Sequence, residues 1–437
     1  MRKIDKFLLA GLFVVLAVAL FACGEQEEAA KTPGTPVSAY KSTGSYTDLG
    51  DEKLSWEGLE ALPKKRTDMT PAEAREAVIA FWRYCKTALW IPDAQYDIYK
   101  EENGTTVWKR AVEQGKVYAG LPYVSNATGS LYRMMDFMDP DTGVVNVTEI
   151  GRFPLIFGGM CSSGCYWAWA RVMNSADYRW CADSVVSRGY LPVGPYTYPS
   201  SWTKFIETGY QGTDDVCLEN GEQVMYQCYA QMQVADGGIT LWEKNGHTNM
   251  CSVAPTVVYN EDGTINGEQS WLCIVEQGGI WEEAVSKGGI PYTFERSMER
   301  KFTFKQLYDG AYLPYTFGEL IGTDPIEETE ISFSYSGESI TEKQLFKEKV
   351  KSNYNISDIY IYIYDESGTE VLKHAVRAIT PSTRELEIHD RVGRCYTWGD
   401  WDNLTVGGDY TVKIDVQLGT GEKPVVYEGK FIVEADS

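Results

Sequence analysis

Histidine is the scarcest of the residues that carry chemistry in this chain: His247, His374 and His389 are the three in 437 residues. Positive charge is short as well, with 40 Lys and Arg against 62 Asp and Glu and a formal net charge of −22. Nothing resembles a basic stripe, so nucleic acid is excluded as a partner, while acidity at this level favours solubility and says little about fold. Long apolar runs are missing too. One stretch, from Phe7 to Phe21, is apolar throughout, and it is too short to span a bilayer comfortably. No internal repeat or long low-complexity tract interrupts the chain. What is plentiful is aromatic residue, with 29 Tyr and 13 Trp, and cysteine, with ten. The length predicts about two to three domains with ample chain for a large core. Aromatic faces build such cores at least as often as they stack on sugars.

Arg2, Lys3 and Lys6 precede the apolar run, and Ala22 and Cys23 follow it. These are the flanks of a cleaved export signal. Leu20, Phe21, Ala22 and Cys23 resemble the lipobox of bacterial lipoproteins, in which cleavage before the cysteine leaves it to carry a lipid. Phe21 is bulkier than the residue usual there, and an ordinary secretory signal is the other reading. The resemblance implies a lipoprotein signal peptide over residues 1–22, a lipid anchor on Cys23 and an extracytoplasmic protein held to the cell membrane by that N-terminal lipid. Residues 23–53, mostly Gly, Ser, Thr, Pro, Ala and Glu, read as a disordered tether. Export also predicts some disulfides. With Cys23 lipidated, nine of the ten cysteines remain; nine is odd, so at least one thiol stays unpaired, and the spacing leaves the pairing open.

Thr70, Pro71 and Glu73 form a capping-box signature. Val78, Phe81, Trp82, Cys85 and Leu89 follow at spacings of three and four, one apolar helical face that assigns Cys85 to the core. The stretch from Lys100 to Phe157 is irregular. Further helices are predicted from Cys161 to about Met173 and from Gly221 to Ala235. Strands then start at Ile239, His247 and Ser270, with a turn at EDG, residues 261–263. Helices first and an antiparallel sheet after make an α+β domain over residues 54–325. The end of the chain differs in kind. IYIYIY, TVKIDVQL and YEGKFIV alternate with period two, and residues 328–437 read as a β-sandwich of immunoglobulin-like size. It holds no catalytic constellation, and His374 and His389 are expected at its surface. That leaves His247 as the one imidazole the preceding domain can use.

The stretch GGMCSSGCYWAW, residues 158–169, sets Cys161 and Cys165 four apart at the start of a helix, behind a glycine pair. A helix N-terminus lowers a thiol's pKa, whereas cysteines that fill gaps beside aromatic neighbours are structural. A cysteine nucleophile also needs a base, a group that orients the base, and donors for the oxyanion. The order GLPY at 120–123, MCSSGCYWAW at 160–169, GHTNM at 246–250 and a strand ending EQ at 276–277 resembles the NlpC-type (NlpC and p-sixty) cysteine peptidases, a papain-like group that cleaves amide bonds in cell-wall peptides.

This resemblance implies a papain-like domain without a cofactor. It makes Cys161 the nucleophile, His247 the base, Gln277 the polar residue that orients it and Tyr123 a second oxyanion donor. Met160 stands where the family usually has Asp and Ser163 where it usually has Gly, and the Trp-Gly-Gly usual after the tyrosine is absent. Cys165, one turn further in, has fewer free N–H groups beside it and is assigned to packing. Two alternatives stay open. Glu276 competes with Gln277, since neighbours on a strand point to opposite faces. Cys161, Cys165 and His247 would also make three ligands of a zinc site. The implied substrate is a peptidoglycan peptide or another amide, and the terminal sandwich is expected to bind a cell-envelope component. The competing assignment is a catalytically inactive papain-like lipoprotein that serves as a cell-surface binding or adhesion module.

Overall fold

The structure is a computed structural model that describes residues 40–102, 105–123, 129–151, 158–174, 190–197, 212–242, 245–277, 300–378, 380–388 and 395–434. The signal segment, Cys23, Cys181 and His389 lie outside the described residues. The chain is α+β. Thr70 opens helix α1 (Pro71–Thr87) with a reciprocal cap: its hydroxyl accepts from the Glu73 N–H, and the Glu73 carboxylate accepts from the Thr70 N–H at 2.8 Å. Val78, Phe81, Trp82 and Cys85 form its buried face, as the spacing predicts. The helices that follow are α2 (Leu131–Met135), α3 (Cys161–Trp169), α4 (Thr213–Asn220), α5 (Glu222–Gln231) and α6 (Phe304–Asp309). Among the described residues no helix is long and apolar enough to cross a membrane.

These helices surround a sheet of β1 (Leu191–Pro192), β2 (Gly237–Trp242), β3 (Asn245–Thr256), β4 (Trp271–Glu276), β5 (Arg300–Thr303) and β6 (Leu313–Thr316). Its order is β5-β4-β3-β2-β6-β1, antiparallel throughout. Register fixes its faces. Thr240 stands opposite His247 and Asn249 opposite Glu276, so these side chains share one face; Ile239 and Thr248, Met250 and Val275 share the other. Helix α3 rests on the second face, where Trp169 packs 5.7 Å from Tyr315, the partner of Gly237. On the first face Thr240 donates to the Gly310 carbonyl just past α6, at 2.7 Å.

The C-terminal lobe holds β7 (Ile331–Phe333), β8 (Ser339–Thr341), β9 (Lys349–Ser352), β10 (Ile356–Tyr364), β11 (Glu370–Arg377), β12 (Glu385–Glu387), β13 (Cys395–Trp398), β14 (Tyr410–Leu418) and β15 (Val425–Ile432). Six of them form a sheet ordered β8-β15-β14-β10-β11-β13, and three a smaller one ordered β7-β9-β12. The period-two pattern divides β10. Ile359, Ile361 and Ile363 enter a core with Val412, Ile414, Val350 and Leu386, while Tyr360, Tyr362 and Tyr364 stack on the other side at 6.2 and 6.4 Å.

Four expectations need revision. His374 is buried rather than at the surface, because register sets it opposite Ile361; its Nδ1 meets Thr397 Oγ1 at 2.6 Å between Phe346 and Trp401. The eight described cysteines are all thiols. The expected disulfides are not formed among them, and burial pushes Cys85 up to about 12 and Cys228 up to about 11, as for inert core thiols. The irregular stretch contains a hairpin, Tyr96–Glu102 with Thr105–Val112. Residues 40–53, read as tether, are bonded to the N-terminal domain: the Tyr40 hydroxyl donates to Asp93 at 2.9 Å, the Ser42 hydroxyl donates to Asp139 at 2.8 Å, and Leu49 packs with Leu89 and Ile91.

Candidate active site

The thiol turn is built by what precedes it. Gly158 has φ +89°, a left-handed turn residue that lets the chain enter α3. Gly159 donates its N–H to the Pro122 carbonyl at 3.0 Å and pairs with Tyr123 as an isolated parallel bridge, which brings the GLPY segment beside the helix start. Met160 is the extended N-cap residue, and its N–H donates to Ser163 Oγ at 3.0 Å. Ser163 therefore does half the work of a capping box, a role that a Gly at this position could not fill. Cys161 is the first helical residue and is 8 % exposed; Cys165 is fully enclosed, with Sγ 4.0 Å from the Thr248 carbonyl. Gly164 is required here, since a Cβ would collide with the Trp82 ring and stand 2.7 Å from Gln277 Oε1.

Gln277 belongs to this side of the sheet. Its Nε2 donates to the Leu121 carbonyl at 3.2 Å and the Pro122 carbonyl at 2.9 Å, and its Oε1 is buried without a hydrogen-bond partner among the described residues. It braces the Tyr123 segment against α3 and makes no bond to His247; the side chain that meets His247 is that of its neighbour. Glu276 Oε2 lies 2.5 Å from His247 Nε2, and Glu276 Oε1 accepts from Arg300 Nη1 at 2.8 Å. The physical reason is strand alternation, which sends adjacent residues to opposite faces. The Glu276 side chain is wholly buried while His247 is 14 % exposed. A carboxylate on Nε2 keeps the neutral ring's proton there and leaves the lone pair on Nδ1. Among the described residues no hydrogen bond joins Cys161 to His247.

Two charged neighbours escaped the sequence reading. Arg300 lies in no motif, and only the pairing of β5 with β4 brings it to Glu276. Lys86 follows core residue Cys85 on α1 and is itself buried, its Nζ 4.5 Å from the centre of the Trp82 ring. Burial pushes its ammonium down to about 7, against the opposing pull of Cys165, Cys85, Glu276 and Cys161. A charged residue one step off an apolar helical face was the available signal.

An open depression at the start of α1, lined by Thr70, Arg75, Glu76, Arg83 and Gln233, includes neither Cys161 nor His247. Among the described residues no group of three or more His, Cys, Asp and Glu is arranged to hold a metal ion, so Cys161, Cys165 and His247 are not gathered as zinc ligands. No protein-family model matches the chain, and no curated protein matches it.

Proposed function

We propose that the chain is an extracytoplasmic, lipid-anchored cysteine hydrolase. Its first domain is of papain-like, NlpC-type organisation, its second is an immunoglobulin-like sandwich, and it cleaves amide bonds in peptidoglycan stem peptides. The observation that carries this is the His247–Glu276 pair on adjacent strands, 2.5 Å apart with the carboxylate buried. It supplies a base of fixed tautomer in a chain with a cysteine at a helix N-terminus. In the step that the resemblance implies, Cys161 Sγ gives its proton to His247 Nδ1 and attacks the amide carbonyl carbon. The carbonyl electron pair moves to oxygen, held by the Cys161 N–H and the Tyr123 hydroxyl. Nδ1 then protonates the leaving nitrogen as the C–N bond breaks. Water attacks the thioester, giving a carboxylate and the free thiol.

A specific observation favours the second reading, a binding module without turnover. Gln277 faces α3 while His247 and Glu276 face the other way, and among the described residues no hydrogen bond joins His247 to Cys161. Purified full-length protein incubated with purified peptidoglycan separates the two. The hydrolase releases new amine groups, and Cys161→Ala and His247→Ala each reduce release by about a hundredfold or more. Retention on the wall material with no amine release supports the binding module.

A further inference from the structure

The C-terminal lobe grips helix α3 at the end opposite its thiol. Ala170, the C-cap residue of α3, and Arg171 meet the turn that joins β14 to β15. A Cβ on Gly419 would stand 2.8 Å from the Ala170 Cβ, and one on Gly421 would collide with Arg171 Nη1. The turn backbone thus lies closer to the helix end than any side chain would allow. Gly419 also donates its N–H to the Asn355 carbonyl at 2.8 Å, tying the turn to the start of β10. Arg171 has no room to swing away: it is 2 % exposed, its Nη1 donates to the Tyr132 hydroxyl at 3.0 Å, and its guanidinium lies 5.2 Å from the centre of the Phe81 ring.

A second contact comes through α2. Arg133, wholly buried, donates from Nε to Asp358 Oδ1 at 3.0 Å and from Nη2 to the Ala378 and Ser357 carbonyls at 2.6 and 3.1 Å. Arg377 spans Asp358 and Asp136 at 3.1 and 2.7 Å, and the Tyr360 hydroxyl donates to Asp136 at 2.7 Å. The Arg133 guanidinium sits 6.0 Å from the centre of the Trp167 ring, in the last turn of α3. Removing one partner from such a buried network strands a charge, so the joint resists sliding.

We propose that the C-terminal lobe is a positioning part of the active site, with Gly419 and Asp358 fixing α3 at its far end and thereby setting where Cys161 stands. Helix α3 has nine residues, a rod of about 13 Å that transmits a shift at Ala170 to its first turn. The proposal deepens the hydrolase reading and rests on it for the work Cys161 does. Gly419 and Asp358 are positioning residues, since both act through α2 or the end of α3.

The test uses the full chain carrying Gly419→Ala, whose added methyl meets Ala170. Two readouts apply: hydrogen exchange in a peptide covering residues 161–170, and the pH profile of iodoacetamide alkylation at Cys161, with Cys273 on β4 as internal control. The expected result is about tenfold faster exchange and about a threefold or greater change in Cys161 alkylation, with Cys273 unchanged. Adding Ala170→Gly removes the methyl's obstacle and restores both. Asp358→Asn, which keeps the side-chain volume, moves the same readouts and stands in if Gly419→Ala does not fold. Unchanged exchange and alkylation in both variants overturns the proposal. An equal change at Cys273 also overturns it, because the effect is then a global loss of stability. Neither readout involves turnover. Absence of hydrolysis by the parent chain defeats the hydrolase while leaving altered α3 exchange as support for the joint.

Discussion

An ammonium enclosed beside Trp82 gains from the ring but loses its water, and at Lys86 the loss of water is the larger effect. Its pKa falls from 10.5 to about 7 in the folded chain. Between those values the unfolded chain binds a proton that the folded chain does not, so stability rises with pH across that window; below pH 7 the full penalty is present. Lys86→Met is expected to stabilise the protein most at pH 6 to 7. That advantage should shrink on the way to pH 10, by up to about 1.4 kcal/mol per pH unit. Urea unfolding of both chains across this range checks it, and a pH-independent difference would mean that Lys86 stays charged. Sequence spacing placed Cys85 in the core and set Lys86 one step off that apolar face, but it is the packing of α1 against α3 that encloses it. It likewise could not choose between Glu276 and Gln277. Alternation says that one of them faces His247, and which one depends on the register of β4 against β3.

At the scale of elements, local chemistry was legible where it closed within a few residues. Thr70 and Glu73 cap α1 as their spacing predicts, and β10 and β14 occupy their period-two stretches. Helix α3 is shorter than its apolar run, ending at Trp169 where Ala170 and Arg171 turn toward the other lobe. Long-range pairing was not legible. The hairpin at residues 96–112 went unread although Asn103 and Gly104 between its strands are a strong turn signal, and His374 went inward because its partner is Ile361. The start of α3 depends on Ser163, whose Oγ accepts the Met160 N–H at 3.0 Å. Ser163→Ala is expected to cost about 1 kcal/mol in urea unfolding. A loss under about 0.3 kcal/mol would show that the cap does not hold this turn.

For the whole molecule, the buried joint is expected to make the two lobes one thermodynamic unit at neutral pH. Asp136 illustrates how it responds to acid. Burial raises its pKa, but Lys373 and Arg377 outweigh that and hold it down at about 2 against an ordinary 3.8. The folded value lies below the unfolded one, so its contribution is complete above about pH 4 and lost as pH falls through 2. Calorimetry of the full chain should give one transition at pH 7. Asp136→Asn should remove about 2 kcal/mol of stability at pH 7, a difference that narrows on acidification toward pH 2. Two separate transitions at pH 7 would mean that the lobes are independent. The central claim, however, concerns the thiol at the start of α3, and limited alkylation tests it most directly. A substoichiometric amount of iodoacetamide at pH 7, followed by mass mapping of the cysteines, should label Cys161 about tenfold faster than any other thiol. His247→Ala should slow that labelling. A Cys161 that reacts no faster than Cys85 or Cys165, and is indifferent to His247, would contradict the account.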